Sequence, residues 1–126
     1  MSMLENFAQL LGRLGADAEI RTTNQGTKVA NVRLATNEYF KNAKGEWEET
    51  TYWHNLVFWG KHAEKLSNSC KKGTRLLVQG SFVYQDYVDS QGIKRQSCEI
   101  RVLQFMVITS KKQVGAMVVS DEDERL

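Results

Sequence analysis

The sequence predicts an all-β domain of long, strongly bent strands with one short helix. Three observations predict it. Proline is absent from the 126 residues and the nine glycines are scattered, so no linker or low-complexity stretch divides the chain. Several long stretches alternate apolar and polar side chains, as half-buried strands do. The run from Lys61 to Cys70 instead carries its apolar residues at helical spacing and is followed by two lysines and a glycine.

The opening residues fit two readings. Leu4, Phe7, Leu10, Leu11 and Leu14 have the spacing of a helix, yet Gly12 and Gly15 weaken a helix towards its end. Asn24-Gln25-Gly26 then reads as a turn, and residues 27–36 as a strand in which Ala30, Val32 and Leu34 alternate with Asn31, Arg33 and Ala35. Residues 37–49 form a polar excursion with a turn signal at Lys44-Gly45. Tyr39, Phe40 and Trp47 lie on it beside Lys41 and Lys44, and the pattern leaves open whether Tyr39 and Trp47 tuck back onto the sheet.

The most informative strand follows, Thr50 to Gly60, rich in aromatic and β-branched residues. Alternation puts Trp53, Asn55, Val57 and Trp59 on one face, and Tyr52, His54, Leu56 and Phe58 on the other. The second face can supply core. The first then presents two indoles that need either a covering layer or a flat ligand.

His62, Ala63, Leu66 and Cys70 place a short helix after that strand, with Lys71-Lys72-Gly73 where it stops. A long strand over 74–89 follows, with Gly80 positioned for a bend or bulge and Phe82 on the same parity as Leu76 and Val78. Asp89-Ser90-Gln91-Gly92 makes a hairpin turn, and residues 93–108 return with Cys98, Ile100 and Val102 opposite Glu99 and Arg101. Three strands, a short helix and two strands is the layout of the five-stranded OB-fold barrel, with its helix between strands 3 and 4. Residues 1–110 are read as this domain and 111–126 as a short disordered tail.

Length and charge bound the function loosely. The chain is long enough for one domain with a real core. Its net charge is +2, but Asp121, Glu122, Asp123 and Glu124 against Arg125 make the tip acidic and leave the body basic, which suits a polyanion ligand. Cys70 and Cys98 stand apart, without a CxxC or Cys/His cluster, and read as reduced, partly buried thiols. No apolar run reaches transmembrane length and the first residues lack the pattern of a secretion signal, so a cytoplasmic, nucleoid-associated protein without a membrane partner is expected.

Ten of the twelve aromatics fall between Tyr39 and Tyr87, interleaved with Arg33, Lys41, Lys44, Lys61, Lys71, Lys72 and Arg75. Single-stranded nucleic acid suits this pairing, because every base offers a π-face and every linkage a charge, so sequence-independent binding and protection of single-stranded DNA is expected. Phe58 and Phe82 are the aromatics that parity assigns to the core. An aromatic-rich protein interface is the rival reading. Catalysis has little material: no Walker loop, GxGxxG, GxSxG or HExxH occurs, and His54 and His62 are the only histidines. Glu46, Glu48 and Glu49 are more simply a solvated loop than a metal site. A non-enzyme without metal or cofactor is expected.

Leu34-Ala35-Thr36-Asn37-Glu38, Thr51-Tyr52-Trp53-His54 and Trp59-Gly60-Lys61-His62-Ala63-Glu64 resemble the bacterial-type single-stranded DNA-binding protein family. So do the segments from Gly12 to Arg21, Lys72-Gly73 and Val78-Gln79-Gly80. The resemblance implies that the opening residues are the first strand, and that the OB domain assembles as a homotetramer acting in DNA replication, recombination and repair. It places stacking aromatics at Phe40, Trp53, Trp59 and Tyr87, and backbone-contacting cations at Arg21, Lys41, Lys61 and Lys72. Arg33 joins this set from the strand reading, and His54 falls at the family's subunit interface. Gln85 and Asp86 depart from the family's basic residues before Tyr87. The ending Asp121-Glu122-Asp123-Glu124-Arg125-Leu126 lacks the long linker and Pro-Phe tip through which replication and repair proteins are recruited. A primosome-type OB protein that bridges replication proteins is the alternative within this fold.

Overall fold

A computed structural model describes residues 5–108 of the chain. The expected tail at 111–126 lies outside the described residues. The elements run β1 (Ala8–Leu14), β2 (Glu19–Thr22), β3 (Lys28–Lys41), β4 (Trp47–Trp59), α1 (Lys61–Ser69), β5 (Arg75–Val88) and β6 (Lys94–Ile108). The opening residues are therefore a strand, as the resemblance implied, and not the helix their spacing also allowed. One strand becomes two pieces, because β1 and β2 line the same edge of β3 on either side of residues 15–18.

The sheet order is β1-β5-β6-β4-β3-β2, and an additional β1–β3 pairing closes five of these strands into a barrel. Closure is made where Arg13 pairs with Ala35 on one side and Arg75 on the other. Gly12 sits at this crossing because a Cβ there would lie 2.2 Å from the carbonyl oxygen of Ala35. The bend expected at Gly80 is a register shift between Gln79 and Gly80, and a Cβ at Gly80 would lie 2.1 Å from the carbonyl oxygen of Arg101. In both places the strand must approach a backbone closer than any side chain permits.

Ala30, Val32 and Leu34 from β3, Leu56 and Phe58 from β4, Leu76 and Val78 from β5, and Ile100 and Val102 from β6 fill the barrel. Phe58 is fully buried and packs edge-on against Phe105, with ring centroids 5.2 Å apart. Helix α1 turns Ala63 and Leu66 inwards, and Cys70 follows it into the core. The cysteines thus part company: Cys70 is buried, whereas Cys98 is exposed rather than partly buried.

Both long hairpins run past the closed barrel, and this corrects three expectations. Residues 37–49 are not a polar excursion: β3 and β4 stay paired out to Lys41 and Trp47, leaving a turn of residues 42–46. Phe82, assigned by parity to the core, is 38% exposed. Its row does lead inwards, since it pairs with buried Ile100, but beyond Gly80 nothing of the described chain covers that side. Tyr52 is exposed for the same reason, two residues beyond half-buried His54.

Candidate nucleic-acid interface

The outer face of the sheet carries the site. Trp53, Asn55, Val57 and Trp59 alternate along β4, and the β3 register sets Ala35, Arg33, Asn31 and Val29 directly across from them. On the other side β6 runs parallel to β4 and brings Arg101 beside Val57. One strand further along, β5 carries the same face outward to Val83, Gln85 and Tyr87, which pair with Glu99, Ser97 and Arg95 of β6. On the far edge β2 adds Arg21, opposite Val29. A row of polar and aromatic side chains therefore crosses five neighbouring strands.

Trp53 is 49% and Trp59 38% exposed. A covering layer is absent among the described residues. What lies over each ring is a cation: the Arg33 guanidinium carbon is 4.8 Å from the Trp53 ring centroid, and that of Arg101 is 5.4 Å from Trp59. Lys41 lies 5.6 Å from Trp47 in the same manner. Such contacts at exposed sites contribute roughly 0.5–1 kcal/mol, whereas a base stacked on an aromatic contributes roughly 1–3 kcal/mol. A base can displace the guanidinium, which is then free to meet a phosphate. Trp53 is further held against Gly15, and its ring forms one wall of a groove of about 570 Å³ running between residues 15–19 and the sheet.

The other expected residues are distributed around this face. Phe40 is half-exposed, but it pairs with Glu48 and so shares the His54 side of the ribbon rather than the Trp53 side. Tyr87 lies on the outer face at the end of the β5–β6 hairpin, in a second groove of about 590 Å³ with Asp86, Val88, Lys94, Arg95 and Gln96. Lys61 begins α1 directly after Trp59-Gly60, and the backbone N–H of Lys72 donates to Asp17 Oδ1 at 2.7 Å, on the rim of the first groove. The outer face therefore unites Trp53, Trp59, Tyr87, Arg21 and Arg33; Phe40 stands on the reverse, and Lys41 with Trp47 at the hairpin tip.

Three cations beside these grooves were not singled out from the sequence. Arg101 belongs with Trp59, a contact that depends on the parallel β4–β6 pairing; alternation within β6 gave only its face. Arg95 pairs with Tyr87 and, with Lys94, supplies charge where Gln85 and Asp86 do not. Its Nε donates to Asp89 Oδ2 at 2.6 Å. That bond, together with N–H donation from Ile93 and Gln91, holds the Asp89 carboxyl below its usual range.

Opposite Trp53, His54 shares a 2.8 Å hydrogen bond between Nε2 and the Thr36 hydroxyl, and burial pushes its pKa down, favouring the neutral ring. The hairpin carboxylates are engaged by neutral donors. Asn42 Nδ2 donates to Glu48 at 2.8 Å, and the Tyr39 hydroxyl donates to Glu49 at 3.1 Å, which raises the tyrosine pKa. Among the described residues no group of three or more His, Cys, Asp or Glu could hold a metal, and no helix is long and apolar enough to cross a membrane.

A closed OB barrel with half-exposed tryptophans under arginines defines a nucleic-acid-binding class of domain. Comparison with known proteins narrows it: the chain belongs to the Single-strand binding protein family, whose profile matches residues 5–108. It is 34% identical over 128 residues to "Single-stranded DNA-binding protein 1" of Xylella fastidiosa, spanning 94% of each chain. It is 36% identical over 111 residues to the protein of the same name from Chlorobaculum tepidum, spanning 87% of this chain and 68% of that one. Among solved structures it resembles the Plasmodium falciparum SSB complex with ssDNA, with a TM-score of 0.75 and 30% identity over 82% of this chain and 95% of that one. The single-stranded DNA binding protein from Thermus aquaticus, at 24% identity and a TM-score of 0.74 over 84% of this chain and 51% of that one, shares the fold.

Proposed function

We propose that the chain binds single-stranded DNA by base stacking and phosphate neutralisation, as a binder and not a catalyst, in replication, recombination and repair. The observation that carries this reading is the outer face of β4: two half-exposed indoles, each beneath a guanidinium, with Asn55 between them. Trp53, Trp59 and Tyr87 take bases on that face. Phe40 takes one from a segment that has passed round the edge of the β3–β4 ribbon. Arg21, Arg33, Lys41, Lys61 and Lys72 take phosphates, with Arg101 added from the structure.

Duplex DNA buries its bases against one another and offers this face only charge. Stacking therefore sets the preference for single strands, and charge sets the salt dependence, with a log–log slope of roughly −0.7 per phosphate neutralised. The homotetramer belongs to the same proposal. It is supported by the apolar side chains that both hairpins leave open on the core-facing side, Tyr52, Phe82 and Tyr84, on the side of the sheet that carries His54.

The test is the affinity of wild type and Trp53→Ala for a single strand and a matched duplex across a salt series. The reading requires tight, salt-sensitive binding of the single strand alone, and a loss of about five- to a hundredfold in Trp53→Ala with the oligomer intact. Equal affinity in the two proteins would refute the stacking role. Loss of assembly in Trp53→Ala from a protein that never bound DNA would return the aromatics to a protein interface.

A further inference from the structure

Trp47 is the most exposed large hydrophobic side chain among the described residues, at 69%, and the platforms at Trp53, Trp59 and Tyr87 do not account for it. Alternation along β4 puts it on the same face as Thr51, Trp53 and Trp59. The three indoles follow one another at intervals of six residues, steps of about 20 Å at the rise of an extended strand. Each lies under a cation: Arg101 for Trp59, Arg33 for Trp53, and for Trp47 its cross-strand partner Lys41. Polar pairs fill the row between Trp53 and Trp47. Thr51 Oγ1 donates to Asn37 Oδ1 at 2.8 Å, and the Tyr39 hydroxyl donates to Glu49 at 3.1 Å. The turn beyond is tied by Asn42 Oδ1, which accepts from the N–H groups of Lys44 at 2.9 Å and Glu46 at 3.0 Å. Trp47 therefore stands on a ribbon whose shape is set before a ligand arrives, which lowers the ordering cost of binding.

We propose that Trp47 is a further stacking platform, on which the single strand leaving Trp53 continues outwards along the β3–β4 ribbon. The proposal rests on the stacking function above and extends the path of the strand by one step. A protein interface gathers apolar side chains at its centre and depletes charge there, whereas Trp47 shares its end of the face with Lys41, Tyr39 and Glu49. A single strand needs only a π-face beside a cation, and the hairpin tip supplies that pair. The ribbon also sets the course of the strand. Arg33 and Lys41 stand on β3, whereas Glu49, which opposes phosphate, stands on β4 with the indoles. Phosphates therefore run along β3, with the bases turned towards β4. From the tip the strand turns to Phe40, the neighbour of Lys41 on the reverse face.

The experiment measures the Kd of the full chain for thymidine oligomers by fluorescence anisotropy, at low and high salt. Their lengths are stepped through the range of about 4–16 nucleotides that one OB fold covers, and beyond. It compares wild type with Trp47→Val, Trp47→Phe and Trp53→Ala, after melting curves show each to be folded. Valine keeps the strand propensity of the site and removes the π-face, while phenylalanine keeps both. Trp47→Val should match wild type on the shortest strands that bind, and lose about fivefold or more once the strand is long enough to reach the tip. Trp53→Ala should lose affinity at every length, and Trp47→Phe should keep most of it. The salt slope of Trp47→Val should equal that of wild type, because a base and not a phosphate is released. Wild-type affinity of Trp47→Val at every length would overturn the proposal, as would an equal loss at every length or an equal loss in Trp47→Phe. So would a loss with a salt slope shallower by roughly 0.7, the sign that the substitution had moved Lys41 off its phosphate. If wild type binds no strand of any length, the stacking function itself fails, a result distinct from an unaffected Trp47→Val.

Discussion

Gly15 and Trp53 are in direct contact: a Cβ built on Gly15 would fall 2.5 Å from Cζ3 of the indole. The Gly15 N–H also donates to the Arg33 carbonyl at 2.9 Å, and the Arg33 side chain covers the same indole. Backbone and side chain thus fix the ring that the proposed function uses most. Gly15→Ala must displace the outer edge of a half-exposed side chain, which costs little stability but moves the stacking platform. The expected outcome is a melting temperature close to wild type, a shifted tryptophan emission, and single-strand affinity reduced by about tenfold. Wild-type affinity would show that the ring's position is immaterial.

Gly80 behaves differently because its neighbour is backbone. A methyl group 2.1 Å from the Arg101 carbonyl oxygen has no flexible partner to push aside. Gly80→Ala should cost about 3 kcal/mol, the upper range for overpacking, and loosen the β5–β6 pairing at its bulge. Urea unfolding measures it.

Phe58 is the largest fully buried side chain of the barrel. Phe58→Ala leaves a cavity beneath Phe105, and should lower the unfolding free energy by about 3–5 kcal/mol by the same assay.

His54 gives the fold a pH dependence. Burial lowers its pKa below the ordinary 6.5. Between the folded and unfolded values the unfolded chain binds more protons, so stability rises with pH there. The contribution is complete above pH 6.5 and is lost as pH falls through the folded value. Thermal melts at pH 7.5 and 5.5 should show a drop on acidification that is smaller in His54→Gln, whose neutral amide can keep the bond to Thr36.

Much of this was legible in the sequence. The alternation of Ala30, Val32 and Leu34, and the opposition of Trp53 to His54, follow from strand parity and survive intact. Gly80 announced its bulge because a glycine inside a strand has few other uses. Parity is silent, however, on where a barrel ends. Phe82 and Phe58 occupy equivalent rows, yet only Phe58 lies within the closed part, a distinction set by how far each hairpin extends. The Arg101–Trp59 contact was hidden for another reason. It joins residues 42 positions apart through a parallel pairing between non-consecutive strands, which no local pattern records. The Phe40 position, assigned by resemblance alone, lies on the reverse of the ribbon from Trp53, which alternation does predict once the β3–β4 register is known.

The central claim is that bases stack on the β4 tryptophans, and intrinsic fluorescence tests it most directly. All three tryptophans, Trp47, Trp53 and Trp59, lie on β4. Titration with a thymidine homopolymer at low and high salt, beside a matched duplex, should quench most of the emission with the single strand alone. The titration midpoint should shift to higher DNA concentration in salt. Binding without quenching would mean that the strand passes over the lysines and arginines and leaves the indoles untouched, and would contradict the account.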